Sequence, residues 1–113
     1  MSKVVLITGA VRNSGLATAK KFASEGYDVC ITSRSLSDAR AAAQAVAGEF
    51  GVRAAGFGLD LEDVSDIRRV FSEIKAQFGR LDVFVGNSAN LGIGPAAIET
   101  TPEQFDSVMN VNI

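Results

Sequence analysis

The sequence predicts an α/β fold: a doubly wound parallel sheet with strand order 3-2-1-4 and flanking helices, incomplete at residue 113. Short β-branched runs alternate with longer segments of helical periodicity, and each periodic segment is followed by a glycine placed to end it. The strands are expected at Val4 to Thr8, Asp28 to Ser33, Arg53 to Gly58 and Leu81 to Val85, the third being weakened by its Ala and Gly content. The first helix carries a narrow apolar face of Leu16, Ala19, Phe22 and Ala23, small enough to approach a strand closely. Leu36, Ala39, Ala43, Val46 and Phe50 form the sheet-facing stripe of the second helix, and Val64, Ile67, Phe71, Ile74 and Phe78 that of the third. Gly26, Gly51 and Gly79 stand where left-handed caps are wanted. Thr101, Pro102 and Gln104 form a capping box for a last helix, whose apolar face is Phe105, Val108 and Met109. Residues 1–113 are therefore expected to be a single, truncated domain, with the second half of the sheet beyond Ile113.

Composition excludes several function classes. With 11 basic and 13 acidic residues interspersed and a net charge of -2, no basic patch invites nucleic acid or an anionic membrane. Histidine is absent and Cys30 is the single cysteine, which rules out His-based metal sites, Ser/His triads and an internal disulfide; no metal is expected. MSKVVLITG is too short an apolar opening for a signal peptide or a spanning helix, so a cytoplasmic protein that does not enter membranes is expected.

Between the first strand and first helix stands Thr8-Gly9-Ala10-Val11-Arg12-Asn13-Ser14-Gly15-Leu16-Ala17. A glycine at a strand end permits a sharp turn, and one at a helix start lets backbone N–H groups and the positive helix end approach a pyrophosphate. Gly9 and Gly15 fit those two positions. A tight βα turn without a ligand would use the same glycines.

This turn resembles the TGxxxGxG loop of the short-chain dehydrogenase/reductase family, a Rossmann-type fold, with Thr8, Gly9 and Gly15 matching. Asn13 replaces the middle glycine and Ser14 the following apolar residue, which also looks like the longer-spaced loop of enoyl-acyl carrier protein reductases. Asn tolerates a positive φ better than other side chains. The resemblance implies cofactor contacts from Gly9, Arg12, Asn13, Ser14, Gly15 and Leu16. At the second strand's end stand Ser33 and Arg34, with no acid to hold the ribose hydroxyls of NAD. In the family, basic residues at the places of Arg12 and Arg34 mark a preference for NADP(H), and a guanidinium can clamp the 2′-phosphate.

Asp60 and Leu61 match the family's adenine-lining pair, although Asp60 could equally cap the helix beginning near Asp63. Asn87 and Ser88 follow the fourth strand where the family has Asn-Asn-Ala-Gly, and cofactor contact is expected of both. Asn112 resembles the Asn of the family's Asn-Ser-Tyr-Lys tetrad and is the one catalytic position carried over. The resemblance implies an oxidoreductase, homo-oligomeric in the parent, that moves hydride between NADP(H) and a carbonyl or alcohol. With the Ser and Tyr-xxx-Lys expected beyond Ile113, this chain alone is expected to be inactive. A non-catalytic dinucleotide-binding module, or a truncated product without activity, would carry the same residues. The fourth strand is expected to have no partner on one edge within this chain, an aggregation template.

Overall fold

The computed structural model describes residues 2–9, 13–60, 62–86 and 96–99, with only the backbone described at Asn13, Ser14 and 96–99. Its elements in chain order are β1 (Val4–Thr8), α1 (Asn13–Ser24), β2 (Asp28–Ser33), α2 (Leu36–Phe50), β3 (Ala54–Gly58), α3 (Val64–Phe78), β4 (Val83–Gly86) and β5 (Ala96–Glu99). The sheet runs β3-β2-β1-β4-β5. Its first four strands are parallel in the expected order, and β5 joins β4 antiparallel, with Val83 opposite Glu99 and Gly86 opposite Ala96. The expectation of an unpartnered β4 edge is thereby corrected: Ala96–Glu99 turns back along it. The expected last helix lies outside the described residues.

All five residues of β1 are buried, because helices cover both faces of a parallel sheet. Its side chains alternate between two cores. Val4 and Leu6 join Cys30, Phe57, Ile67, Val70, Phe71 and Ile74 beneath α3. Val5 and Ile7 join Ala19, Ala23, Val29, Ile31, Val46 and Val85 beneath α1 and α2. Burial pushes the Cys30 thiol up, and the charge of Asp28 adds to the shift, so this cysteine is a core residue and no nucleophile. Helix and sheet approach closely at Gly56. A β-carbon there would lie 2.3 Å from the carbonyl carbon of Ala39, 2.4 Å from its oxygen and 2.5 Å from the nitrogen of Arg40. The glycine that weakened the third strand on propensity is what seats α2 against it.

Two expected stripes begin later than their first residue: Leu36 and Val64 are exposed. Each opens its helix, and Leu36 stands over Gly58, which offers no side chain to cover it. The helix ends follow local chemistry. The Oγ of Ser35 accepts from Asp38 N at the start of α2, and Asp63 accepts from Ser65 N and Asp66 N at the start of α3. Gly51 and Gly79 close those helices in the left-handed region, with φ of 69° and 79°.

At the amino end of the sheet, carboxylates stitch neighbouring strands. Asp28, almost fully buried, accepts from Arg53 N at 3.1 Å and from its Nε at 3.0 Å, while the guanidinium lies 4.7 Å over the Phe78 ring. Asp82 donates its N–H to Val4 O at 2.9 Å and takes the Val4 N–H on Oδ2 at 2.8 Å. Its side chain thus substitutes for a ladder acceptor, and β4 begins at Val83 where Leu81 was expected. Arg80 completes the site with two donors, Nε at 2.8 Å and Nη2 at 2.6 Å.

Burial alone would raise the Asp82 carboxyl. The hydrogen bonds from Arg80 and Val4, with the charges of Arg80 and Lys3, outweigh that effect and hold it below the ordinary carboxylate range. A folded value below the unfolded one, about 3.9, contributes stability that is present above that pH and lost as pH falls through the folded value. The urea midpoint is therefore expected to fall from about pH 5 towards about pH 2, and to fall less for Asp82→Asn. Identical acid profiles for the two proteins would refute the assignment.

Candidate functional site

The carboxyl ends of β1, β2 and β3 are tied side by side, and the candidate residues described here lie along that edge. Gly9 N donates to Thr32 O at 3.0 Å, and Leu59 N donates to Ser33 O at 2.8 Å. Gly9 then turns with a φ of 65°, which a side chain would resist, and the chain re-enters as α1 at Asn13. The amino end of α1 therefore opens at the carboxyl edge of the sheet, where its unpaired N–H groups favour an anion. Gly15 is buried in the first turn, and Leu16 packs partly against the core under α1 and α2.

Ser33 is half-buried, and its Oγ accepts from Ser35 N at 3.2 Å, which shapes the exit from β2. Arg34 follows, exposed, and its guanidinium makes no hydrogen bond or ion pair with any other described residue. It borders an open groove of about 460 Å³ lined also by Gly58, Leu59, Asp60, Glu62, Asp66 and Arg69. Asp60 does not cap α3, since Asp63 does so itself. It is held instead by two bonds: its N–H donates to Asp66 Oδ2 at 2.8 Å, and its Oδ1 accepts from Glu62 N at 2.9 Å. The bond from Asp60 N, and then that from Arg69, keep the Asp66 carboxyl below the usual range, so it stays charged at neutral pH.

Of the sequence candidates, Gly9, Gly15, Leu16, Ser33, Arg34 and Asp60 are thus placed at one edge, together with the backbone of Asn13 and Ser14. Arg12, Leu61, Asn87, Ser88 and Asn112 lie outside the described residues. Sequence reasoning missed Glu62, Asp66 and Arg69 as groove residues. The signal was present in Asp63, Asp66 and Arg69, three charges at i, i+3 spacing that open a helix. Among the described residues no group of three His, Cys, Asp or Glu is placed to hold a metal ion, and no helix is long and apolar enough to cross a membrane.

Comparison with known proteins agrees with this geometry. Residues 3–113 match the family model described as short chain dehydrogenase. Sorbitol dehydrogenase from Cereibacter sphaeroides is 34% identical over 111 residues, covering 98% of this chain and 41% of its own length. Galactitol 2-dehydrogenase from Agrobacterium fabrum is 34% identical over 112 residues, covering 99% of this chain and 42% of its own. The chain thus spans about two fifths of the length of these curated relatives. Among solved structures, L-sorbose reductase from Gluconobacter frateurii, complexed with NADPH and L-sorbose, superposes with a TM-score of 0.73 at 31% identity. That likeness covers 77% of this chain and 33% of the other.

Proposed function

Because the chain belongs to the short-chain dehydrogenase family, we propose that it is the NADP(H)-binding portion of an oxidoreductase acting on a carbonyl or alcohol. The observation that carries the choice of cofactor is Arg34, an exposed cation with no ion-pair partner among the described residues, at the edge of the groove that follows β2. In this reading Gly9, Asn13, Ser14, Gly15 and Leu16 cradle the pyrophosphate at the amino end of α1. Arg12, Ser33 and Arg34 hold the 2′-phosphate, a strong acceptor that suits a guanidinium. Asp60 and Leu61 line the adenine, and Asn87 and Ser88 contact the cofactor after β4. Asn112 serves the proton relay of the complete enzyme.

The described residues fit such a ligand. A positive-φ glycine, a helix amino end and an arginine with no partner among the described residues lie at the carboxyl edge of one parallel sheet, where ligands of open α/β folds bind. The bound dinucleotide would supply the hydride chemistry; this chain's residues bind and orient it. The presence of NADPH with the L-sorbose reductase supports the same choice. Titrating the protein with NADPH and with NADH tests it. NADPH is expected to bind at least about tenfold more tightly, the worth of roughly one charge-assisted hydrogen bond. Equal affinities at low salt would refute the assignment of the 2′-phosphate to these residues.

A further inference from the structure

One guanidinium in the groove engages three acceptors on two elements. Arg69 donates from Nη2 to Gly58 O at 2.7 Å, from Nε to Asp66 Oδ1 at 2.9 Å and from Nη1 to Glu73 Oε2 at 2.9 Å. The carbonyl it reaches is at the sheet's outer edge. Leu59 N and Arg53 O bond towards β2, so the alternate residue Gly58 turns its backbone groups away. Arg69 therefore ties the end of β3 to the first turn of α3, across the loop that contains Asp60. The same Asp66 that takes Arg69 Nε on one oxygen takes the Asp60 N–H on the other.

The ion pairs within α3 are weak supports on their own, since the Arg69 side chain is 47% exposed and its partners Asp66 and Glu73 are 24% and 43% exposed. Helix stability is then a poor account of the arrangement. The planar fork of an arginine spreads its donors over three nitrogens and reaches all three acceptors at once, whereas the three donors of an ammonium radiate from a single nitrogen. What the arrangement fixes is the position of the Asp60 backbone through Asp66.

We infer that Arg69 is a positioning residue, which orients Asp66 and through it Asp60 on the adenosine side of the dinucleotide groove; the inference rests on the proposed function. It acts on the adenosine moiety shared by both cofactors. Its loss therefore weakens NADPH and NADH alike and leaves their ratio unchanged, in contrast to a change at Arg34.

The test is titration of the wild type, Arg69→Ala, Arg69→Lys and Glu73→Gln with NADPH and NADH, at a temperature where melting curves show all four folded. Arg69→Ala and Arg69→Lys are both expected to weaken both cofactors about threefold to tenfold, while Glu73→Gln binds as the wild type does. Retained affinity in Arg69→Lys would mean that charge alone matters, and a loss confined to NADPH would mean the same; either overturns the inference. So would a loss in Glu73→Gln equal to that in Arg69→Ala, the pattern of a purely helix-stabilising role, or unchanged binding in every variant. A wild type that binds neither cofactor would overturn the functional reading itself, and the inference with it.

Discussion

Gly56→Ala is expected to destabilise the protein by roughly 2–3 kcal/mol, the upper part of the range for overpacking a close-packed interior. The obstacle is backbone: the new methyl would meet the carbonyl group of Ala39 and the nitrogen of Arg40 at 2.3 to 2.5 Å, and neither can rotate aside. Relief requires α2 to retreat from β3, which opens contacts around Ala39, Ala43 and Val46 as well. Gly58→Ala is the matched control, because its nearest neighbour is the Leu36 Cβ at 3.4 Å, an ordinary contact. Urea unfolding should show a large fall in midpoint for the first variant and a small change for the second. Equal midpoints would mean that α2 shifts freely on this sheet.

Arg34→Glu is expected to reverse the preference between the two cofactors, with the NADPH-to-NADH affinity ratio falling by about 100-fold, roughly 3 kcal/mol. Two effects act in one direction. The 2′-phosphate loses a charge-assisted donor and meets a carboxylate, whereas the free 2′-hydroxyl of NADH gains an acceptor. Arg34 is exposed, and no interaction with another described residue must be broken first, so the melting temperature should hardly move. A ratio that stays within about twofold of the wild type would place the 2′-phosphate elsewhere.

Much of the architecture was legible because it depends on local pattern. β1 and β2 have the expected bounds, and the stripes of α2 and α3 do face the sheet through Ala39, Ala43, Val46, Ile67, Phe71 and Ile74. Such periodicities are written in the chain because burial selects every second or every third to fourth side chain. Tertiary pairing was less legible. Ala96–Glu99 reads AAIE, four residues with no alternation, and it is a strand because β4 offers it an edge. The delayed start of β4 follows from an aspartate side chain that takes a ladder position, which no propensity describes.

In the candidate site, Gly9 and Arg34 could be found because turn chemistry and an unopposed charge are visible in a linear string. Arg69 could not. Its importance lies in the carbonyl of Gly58, 11 residues away in sequence, which only the folded sheet brings within reach.

The bonds between Val4 and Asp82 join residues 78 apart, which sets an order of events during synthesis. The chain emerges amino end first, so β1 can pair with β2 early, but its other edge must wait for Val83–Gly86. At about 5–20 residues per second, the interval between the end of β2 and the end of β4 is roughly 3–10 s. Throughout it, the most apolar strand of the nascent chain has one flank open on the ribosome. The early α1 and α2 can shield one face of that strand, but they cannot supply the missing backbone partners.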